Sequence, residues 1–175
     1  MGKRSNFKRI ERDFYRTPRE AVLPLLPHLP DFTQFAEPCA GDGALIGHII
    51  DERQDATCIA AADIEPRCGG VHQMPFEEFD VSSVDCLIIT NPPWDRKILH
   101  PMIEHFSAQN PTWLLFDADW PHTKQSAPFM PYLRKIVSVG RVKWIPDSKM
   151  TGKDNCAWYL FDKSDPGPCE FFGRS

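Results

Sequence analysis

Long apolar runs are missing from this chain. None of its 175 residues lie in a stretch approaching the roughly 20 apolar residues that a membrane span needs. Met1 to Arg12 is charged and polar where a signal peptide would carry an apolar segment, so a soluble protein is expected. Close Cys-x-x-Cys pairs are missing as well. The six cysteines, Cys39, Cys58, Cys68, Cys86, Cys156 and Cys169, stand singly and mostly among apolar residues, where thiols behave as small hydrophobes. That pattern excludes the usual spacing of a structural zinc site and leads us to expect a reducing, cytoplasmic setting. His100 and Glu104 lie four apart but have no third ligand nearby, so a solvent-facing pair is expected and no metal is assigned. Internal repeats and interdomain linkers are also lacking, which leaves one domain-sized unit.

What is present is a charge pattern and an alternation of elements. The net charge is −4, yet residues 1–20 carry seven Lys/Arg against three acids, residues 21–120 four against sixteen, and residues 121–163 eight against three. Basic ends around an acidic middle suit a phosphate-bearing partner if the fold brings the ends to one rim, although a solvated charged face would look the same. The expected organisation is a basic flexible arm over 1–12, a single domain over 13–163 and a weakly ordered tail over 164–175, which contains Asp165-Pro166-Gly167-Pro168.

Within the domain, Thr17-Pro18 reads as a helix cap followed by proline at the first helical position, and Pro24, Pro27 and Pro30 divide the next stretch of chain into short pieces. Apolar runs at Gln34 to Glu37, Thr57 to Asp63, Val84 to Thr90 and Thr112 to Asp117 read as buried strands. Helices are predicted between some of them. Gly43 to Arg53 gathers Leu45, Ile46, Ile49 and Ile50 on one face, and Ile98 to Ala108 does so with Ile98, Met102, Ile103 and Phe106. The alternation predicts an α/β, Rossmann-like fold with a mostly parallel sheet, closed by an antiparallel hairpin of Ile136 to Ile145 and Ala157 to Asp162 across the turn Pro146 to Asn155.

Three motifs sit at predicted strand ends. Glu37-Pro38-Cys39-Ala40-Gly41-Asp42-Gly43 falls between the first strand and the first long helix, where glycines permit a tight turn and close backbone approach to a nucleotide-like ligand. Turn chemistry alone would also use them. Asp63, at the tip of the second strand, is placed to accept from two ribose hydroxyls, or to serve as a turn acid before Pro66. Asn91-Pro92-Pro93-Trp94 comes after the strand ending at Thr90. The Asn91 side-chain oxygen and the Pro92 carbonyl can both accept from one NH₂ group, and Trp94 offers a flat face for an extruded base. The same turn could simply end a strand, with Trp94 in the core.

Taken in order, Asp13-Phe14-Tyr15-Arg16-Thr17-Pro18, the glycine loop, Asp63-Ile64-Glu65 and Asn91-Pro92-Pro93-Trp94 resemble the class I S-adenosylmethionine-dependent methyltransferases that act on adenine N6 in DNA, the small phage-type enzymes in particular. The resemblance spans most of residues 13–162. It implies that Tyr15, Thr17, Pro18 and the loop residues Glu37, Pro38, Cys39, Ala40, Gly41 and Gly43 hold the methionine end of S-adenosylmethionine. Asp63 would hold the ribose, while Ile64 and Phe76 would flank the cofactor's adenine. Asn91 would border the cofactor too, and with Pro92, Pro93 and Trp94 would form the catalytic turn around the target base. Host cytoplasm would be the location if the protein is phage-encoded.

Two features depart from that pattern. The acid expected to meet the cofactor's adenine amino group is not singled out among Glu77, Glu78 and Asp80. The roughly eighty residues after Trp94 leave no room for a target-recognition domain, so a short preference or a partner protein for recognition is expected. Lys149 and Lys153 in the hairpin turn and the loop Asp119 to Lys124 could reach nucleic acid, whereas Trp144 and Trp158 read as core residues of strands. Pro38-Cys39 precedes the glycines, the wrong place for the nucleophile of a cytosine-carbon enzyme. Other readings are methylation of RNA adenine or of protein glutamine amide, and an inactive cofactor-binding or nucleic-acid-binding subunit.

Overall fold

The apolar runs assemble into one sheet because pairing satisfies their backbone groups while burying most of their side chains between two layers. The computed structural model of the protein describes residues 15–145 and 152–174. Its strands are β1 (Gln34–Glu37), β2 (Thr57–Asp63), β3 (His72–Gln73), β4 (Leu87–Thr90), β5 (Thr112–Asp117), β6 (Leu133–Arg141), β7 (Asn155–Phe161) and β8 (Glu170–Phe172). They form an eight-stranded sheet in the order β3-β2-β1-β4-β5-β7-β6-β8. Only the β5–β7 and β6–β7 pairings are antiparallel. The predicted fold class and terminal hairpin therefore hold. Strand β6 begins and ends earlier than expected, so Trp144 lies beyond it.

Strand β5 shows why the core has two layers. Trp113 and Leu115 point to one face and Leu114 and Phe116 to the other, all buried. On one side they meet α1 (Arg19–Val22) and α2 (Ala44–Glu52), through Val22, Leu45 and Ile49, with Leu25 from the turn after α1. On the other lies α3 (Arg96–Ser107), with Leu99, Ile103 and Phe106, joined by Trp120 and Phe129 from the 3-10 turns after β5. The Asp95 side chain accepts from Lys97 N at 3.0 Å and caps α3. His100 is half-buried, accepts from Trp120 Nε1 at 3.0 Å and packs on Phe129, unlike the solvent-facing residue expected. Glu104 is engaged by Tyr132 Oη at 2.7 Å and Lys163 Nζ at 2.9 Å.

The helix start near Thr17 differs in its cap. Pro18 occupies the cap position, no side chain caps the helix, and α1 is a single turn. Trp158 Nε1 donates to Ala21 O at 2.8 Å in the buried interior, fastening α1 to the middle of the sheet. Residues after Ser164 were expected to be weakly ordered, but β8 pairs in parallel with β6. Arg134, buried at the start of β6, donates to the carbonyls of Asp165, Leu133 and Pro131, and Phe172 packs on His28 with ring centroids 4.4 Å apart. The arm 1–12, Asp13, Phe14 and Lys149 lie outside the described residues.

Only eight residues, 64–71, connect β2 to β3, and no helix forms among them. Parallel neighbours are ordinarily joined by a longer crossover that covers one face. Its lack leaves an open hollow of about 600 Å³ between α2 and β2, lined by Ile46, Ile50, Cys58, Ile59 and Val71 among others. The predicted apolar face of α2 is thus split, with Ile49 0% and Ile50 39% exposed. Ile49→Ala should cost about 2–5 kcal/mol in urea unfolding and Ile50→Ala well under about 1 kcal/mol. Equal losses would show that the hollow is filled in solution.

Candidate active site

The carboxyl ends of β1, β2 and β4 meet along one edge of the sheet. After β1 the chain turns sharply, with Gly41 at φ 54° and Gly43 at φ 75°, left-handed values that glycine adopts without cost. A β-carbon on Gly43 would also lie 3.3 Å from Cys68 Sγ. The loop is tied to the tip of β2: Asp63 Oδ2 accepts from Gly41 N at 2.8 Å while Oδ1 accepts from Glu65 N at 2.7 Å. Each carboxylate oxygen keeps a further lone pair, so Asp63 can serve both as a turn acid and as an acceptor for ligand hydroxyls.

Glu37, at the end of β1, is 1% exposed, and its Oε2 has no hydrogen-bond partner. Burial above all, with the charges of Asp63 and Asp42 adding to it, pushes its carboxyl well above the usual carboxylate range. Burial likewise pushes the Cys39 thiol up to about 12, which keeps it neutral and unreactive. Three carboxyl groups, Glu37, Asp42 and Asp63, therefore converge on the glycine loop. Such a loop followed by a helix often holds phosphate, but here the Asp42 and Asp63 side chains beside it disfavour a second anion. A cationic ligand suits the same carboxyl acceptors, the unpartnered Glu37 oxygen included.

The Asn91 turn sits beside this loop. Asn91 Nδ2 donates to Thr17 Oγ1 at 3.1 Å and to Tyr15 O at 3.4 Å. Both amide hydrogens are thereby directed toward the N-terminal segment, and Oδ1 is the end left to accept. Pro92 is buried and Pro93 half-buried. Arg16 Nε lies 3.2 Å from Asp42 Oδ2, so the segment that holds Asn91 also touches the glycine loop.

Trp94 is half-buried and fixed: its Nε1 donates to Leu115 O at 3.2 Å, on a strand that runs past the end of β4. Its ring meets Trp144 edge-on, at 5.7 Å and 88°, and Tyr15 meets Trp144 at 6.4 Å and 64°. Trp144 is thus brought to the site instead of into a strand, a placement the sequence reading missed. Gly140, at φ 85°, interrupts β6 and is the local signal for it. Asp117, at the end of β5, was also missed; burial raises its carboxyl first, with Asp119 and Asp154 adding to it.

The remaining candidates are dispersed around this edge. Ile64 is 57% exposed beside the β2 tip, and its carbonyl accepts from Gln73 Nε2 at 3.2 Å. Phe76 leans edge-on against Phe106 and His105 of α3. The three acids left open are all exposed; Glu78 and Asp80 both border a small hollow of about 180 Å³ with Ala60, Ala62 and Met74, and Asp80 also accepts from Ser82 N at 2.9 Å. Among the described residues, no group of three or more potential ligands is placed to hold a metal ion, and no helix is long and apolar enough to cross a membrane.

No family model matches the chain, and no curated protein matches it in sequence. Solved structures do match. A putative RNA methyltransferase from Pyrococcus horikoshii is 18% identical at a TM-score of 0.56, with 92% of this chain and 93% of that one covered. A putative class I S-adenosylmethionine-dependent methyltransferase from Listeria monocytogenes is 12% identical at 0.56, covering 87% and 62%. The methyltransferase subunit of a type I restriction-modification system from Streptococcus thermophilus is 8% identical at 0.58, covering 91% of this chain but 47% of that protein. The fold is that of the Rossmann-like methyltransferases.

The buried Glu37 gives a pH test. Its proton is held more tightly in the folded state than in the unfolded chain, so stability contributed at low pH is lost as pH rises from the ordinary carboxylate pKa toward the raised one. Glu37→Gln should remove this slope. In urea titrations, the variant should match the wild type near pH 4 and exceed it at pH 7; a variant less stable than wild type at pH 7 would mean the carboxylate is ionised and needed.

Proposed function

We propose that the protein is an S-adenosylmethionine-dependent methyltransferase acting on the exocyclic amino group of a nucleic-acid base, with adenine N6 in DNA as its substrate. The observation that carries this reading is the Asn91 carboxamide, whose hydrogens are turned to Tyr15 and Thr17 while its oxygen is left as an acceptor beside the glycine loop.

Gly41 and Gly43, the carboxyl groups of Glu37 and Asp42, and the backbone around Tyr15, Thr17 and Pro18 would hold the cationic methionine end of the cofactor, with Pro38, Cys39 and Ala40 shaping the loop. Asp63 would accept from the ribose hydroxyls, and Ile64 and Phe76 would border the adenine. S-adenosylmethionine, when bound, supplies an electrophilic methyl group. Asn91 Oδ1 and the Pro92 carbonyl accept the two amine hydrogens and so aim the nitrogen lone pair. As the new N–C bond forms, the S–C bond breaks, and the nitrogen then releases a proton to water. Trp94 backs the turn, and Trp144 with Tyr15 offers aromatic surface for a base.

The charge pattern supports a nucleic-acid substrate over a protein amide. β6 runs parallel to β5, so Lys143 after β6, Lys153 before β7 and Lys124 after β5 all belong to the edge that carries Asn91. RNA adenine is the second reading, since the fold is shared with a protein described as a putative RNA methyltransferase.

Incubation with methyl-labelled S-adenosylmethionine and, separately, unmethylated DNA, RNA and a protein extract tests this, followed by digestion and mass analysis. Label in N6-methyladenine of DNA is expected, with Asn91→Ala lowering turnover on the order of 100-fold while cofactor affinity changes little. Label only in RNA or protein would overturn the substrate. Cofactor binding without transfer would favour an inactive subunit.

A further inference from the structure

The segment Tyr15 to Thr17 crosses the open edge of the sheet, and one of its contacts bears on the chemistry of the Asn91 turn. A carboxamide can rotate by half a turn and exchange its oxygen and nitrogen with almost no change of shape. The two prolines after Asn91 have no N–H with which to resist such a flip. The groups that oppose it lie far away in sequence. Tyr15 O can only accept, so the amide nitrogen must face it, and Thr17 Oγ1 takes the second hydrogen at 3.1 Å.

Thr17 is well placed for this. It is 5% exposed, it is separated from α1 only by the cap residue Pro18, and α1 is held to the sheet through the bond from Trp158 Nε1 to Ala21 O. Its hydroxyl does not cap that helix, leaving the oxygen for Asn91. We infer that Thr17 is a positioning residue for methyl transfer: Tyr15 O, which can only accept, selects the end of the Asn91 amide that faces this segment, and Thr17 Oγ1, by accepting from Nδ2, holds the amide in that rotamer with Oδ1 presented to the substrate amine. The inference rests on the methyltransferase reading given above.

Thr17→Val keeps the shape and removes the acceptor, whereas Thr17→Ser keeps it. Two measurements separate this role from the functional reading. In steady-state kinetics with labelled cofactor and adenine-containing DNA, Thr17→Val should lower kcat about 10-fold, with KM for S-adenosylmethionine changed less than about 3-fold and Thr17→Ser near wild type. Unchanged kcat, or a raised KM alone, would overturn the proposal and make Thr17 an ordinary structural or cofactor contact.

In the protein without substrate, the side-chain NH₂ signals of Asn91, assigned by their loss in Asn91→Asp, report the bond directly. Their exchange with water should be slow in wild type and Thr17→Ser and about 10-fold faster in Thr17→Val at matched thermal stability. Equal exchange in all three would refute the role. That result stands even if no substrate is methylated, an outcome that would count against the functional reading alone.

Discussion

Asn91 has two amide hydrogens, and the site depends on where they go. Bonds to Tyr15 O and Thr17 Oγ1 take up both, so the side-chain oxygen is left as an acceptor. This constraint links parts of the fold that are remote in sequence. Thr17 stays in place because α1 is bonded to Trp158 of β7, and β7 lies in the middle of the sheet because it pairs antiparallel between β5 and β6. The hairpin that completes the sheet therefore also fixes the segment that orients the acceptor. Arg16 on Asp42 extends the same segment to the glycine loop, and Tyr15 against Trp144 extends it to the residues after β6.

The electrostatics of the loop decide what kind of ligand it suits. Close backbone approach at Gly41 and Gly43 would serve a phosphate as well as any other group. The Asp42 and Asp63 side chains disfavour that option, because a further anion beside them meets repulsion, and the buried Glu37 carboxyl offers it no positive charge. A cation instead returns Glu37 toward its ionised form. The loop's tie to Asp63 means that the acid at the β2 tip shapes the turn in addition to accepting from a ligand.

Much of the layout was legible because its signals are local. Buried strands with apolar residues on both faces, such as Thr112 to Asp117, and a glycine turn or an Asn-Pro-Pro turn at a strand end need no distant partner to be recognised. The features that escaped the sequence reading depend on contacts across the chain. Trp144 looked like a strand residue because Val142, Trp144 and Ile145 continue the apolar run of β6, and only the left-handed Gly140, at a register shift near the end of the strand, marks the local irregularity. Thr17 looked like a helix cap because its neighbour is proline, while its hydroxyl serves a residue 74 positions away. The tail of prolines after Ser164 hid β8, which depends on Arg134 and on the edge of β6. Leu45, Ile46, Ile49 and Ile50 read as one apolar face of α2, and nothing local announces that no helix comes after β2 to cover Ile50.

The central claim is geometric: Asn91 Oδ1 receives the amine of a base on the edge that also carries Lys124, Lys143 and Lys153. A crystal structure with S-adenosylhomocysteine and a short adenine-containing DNA tests it most directly. The account predicts an adenine out of the stack with N6 about 3 Å from Asn91 Oδ1 and the demethylated cofactor on the Gly41–Gly43 loop. DNA bound elsewhere on the protein, with Asn91 facing only solvent, would contradict it.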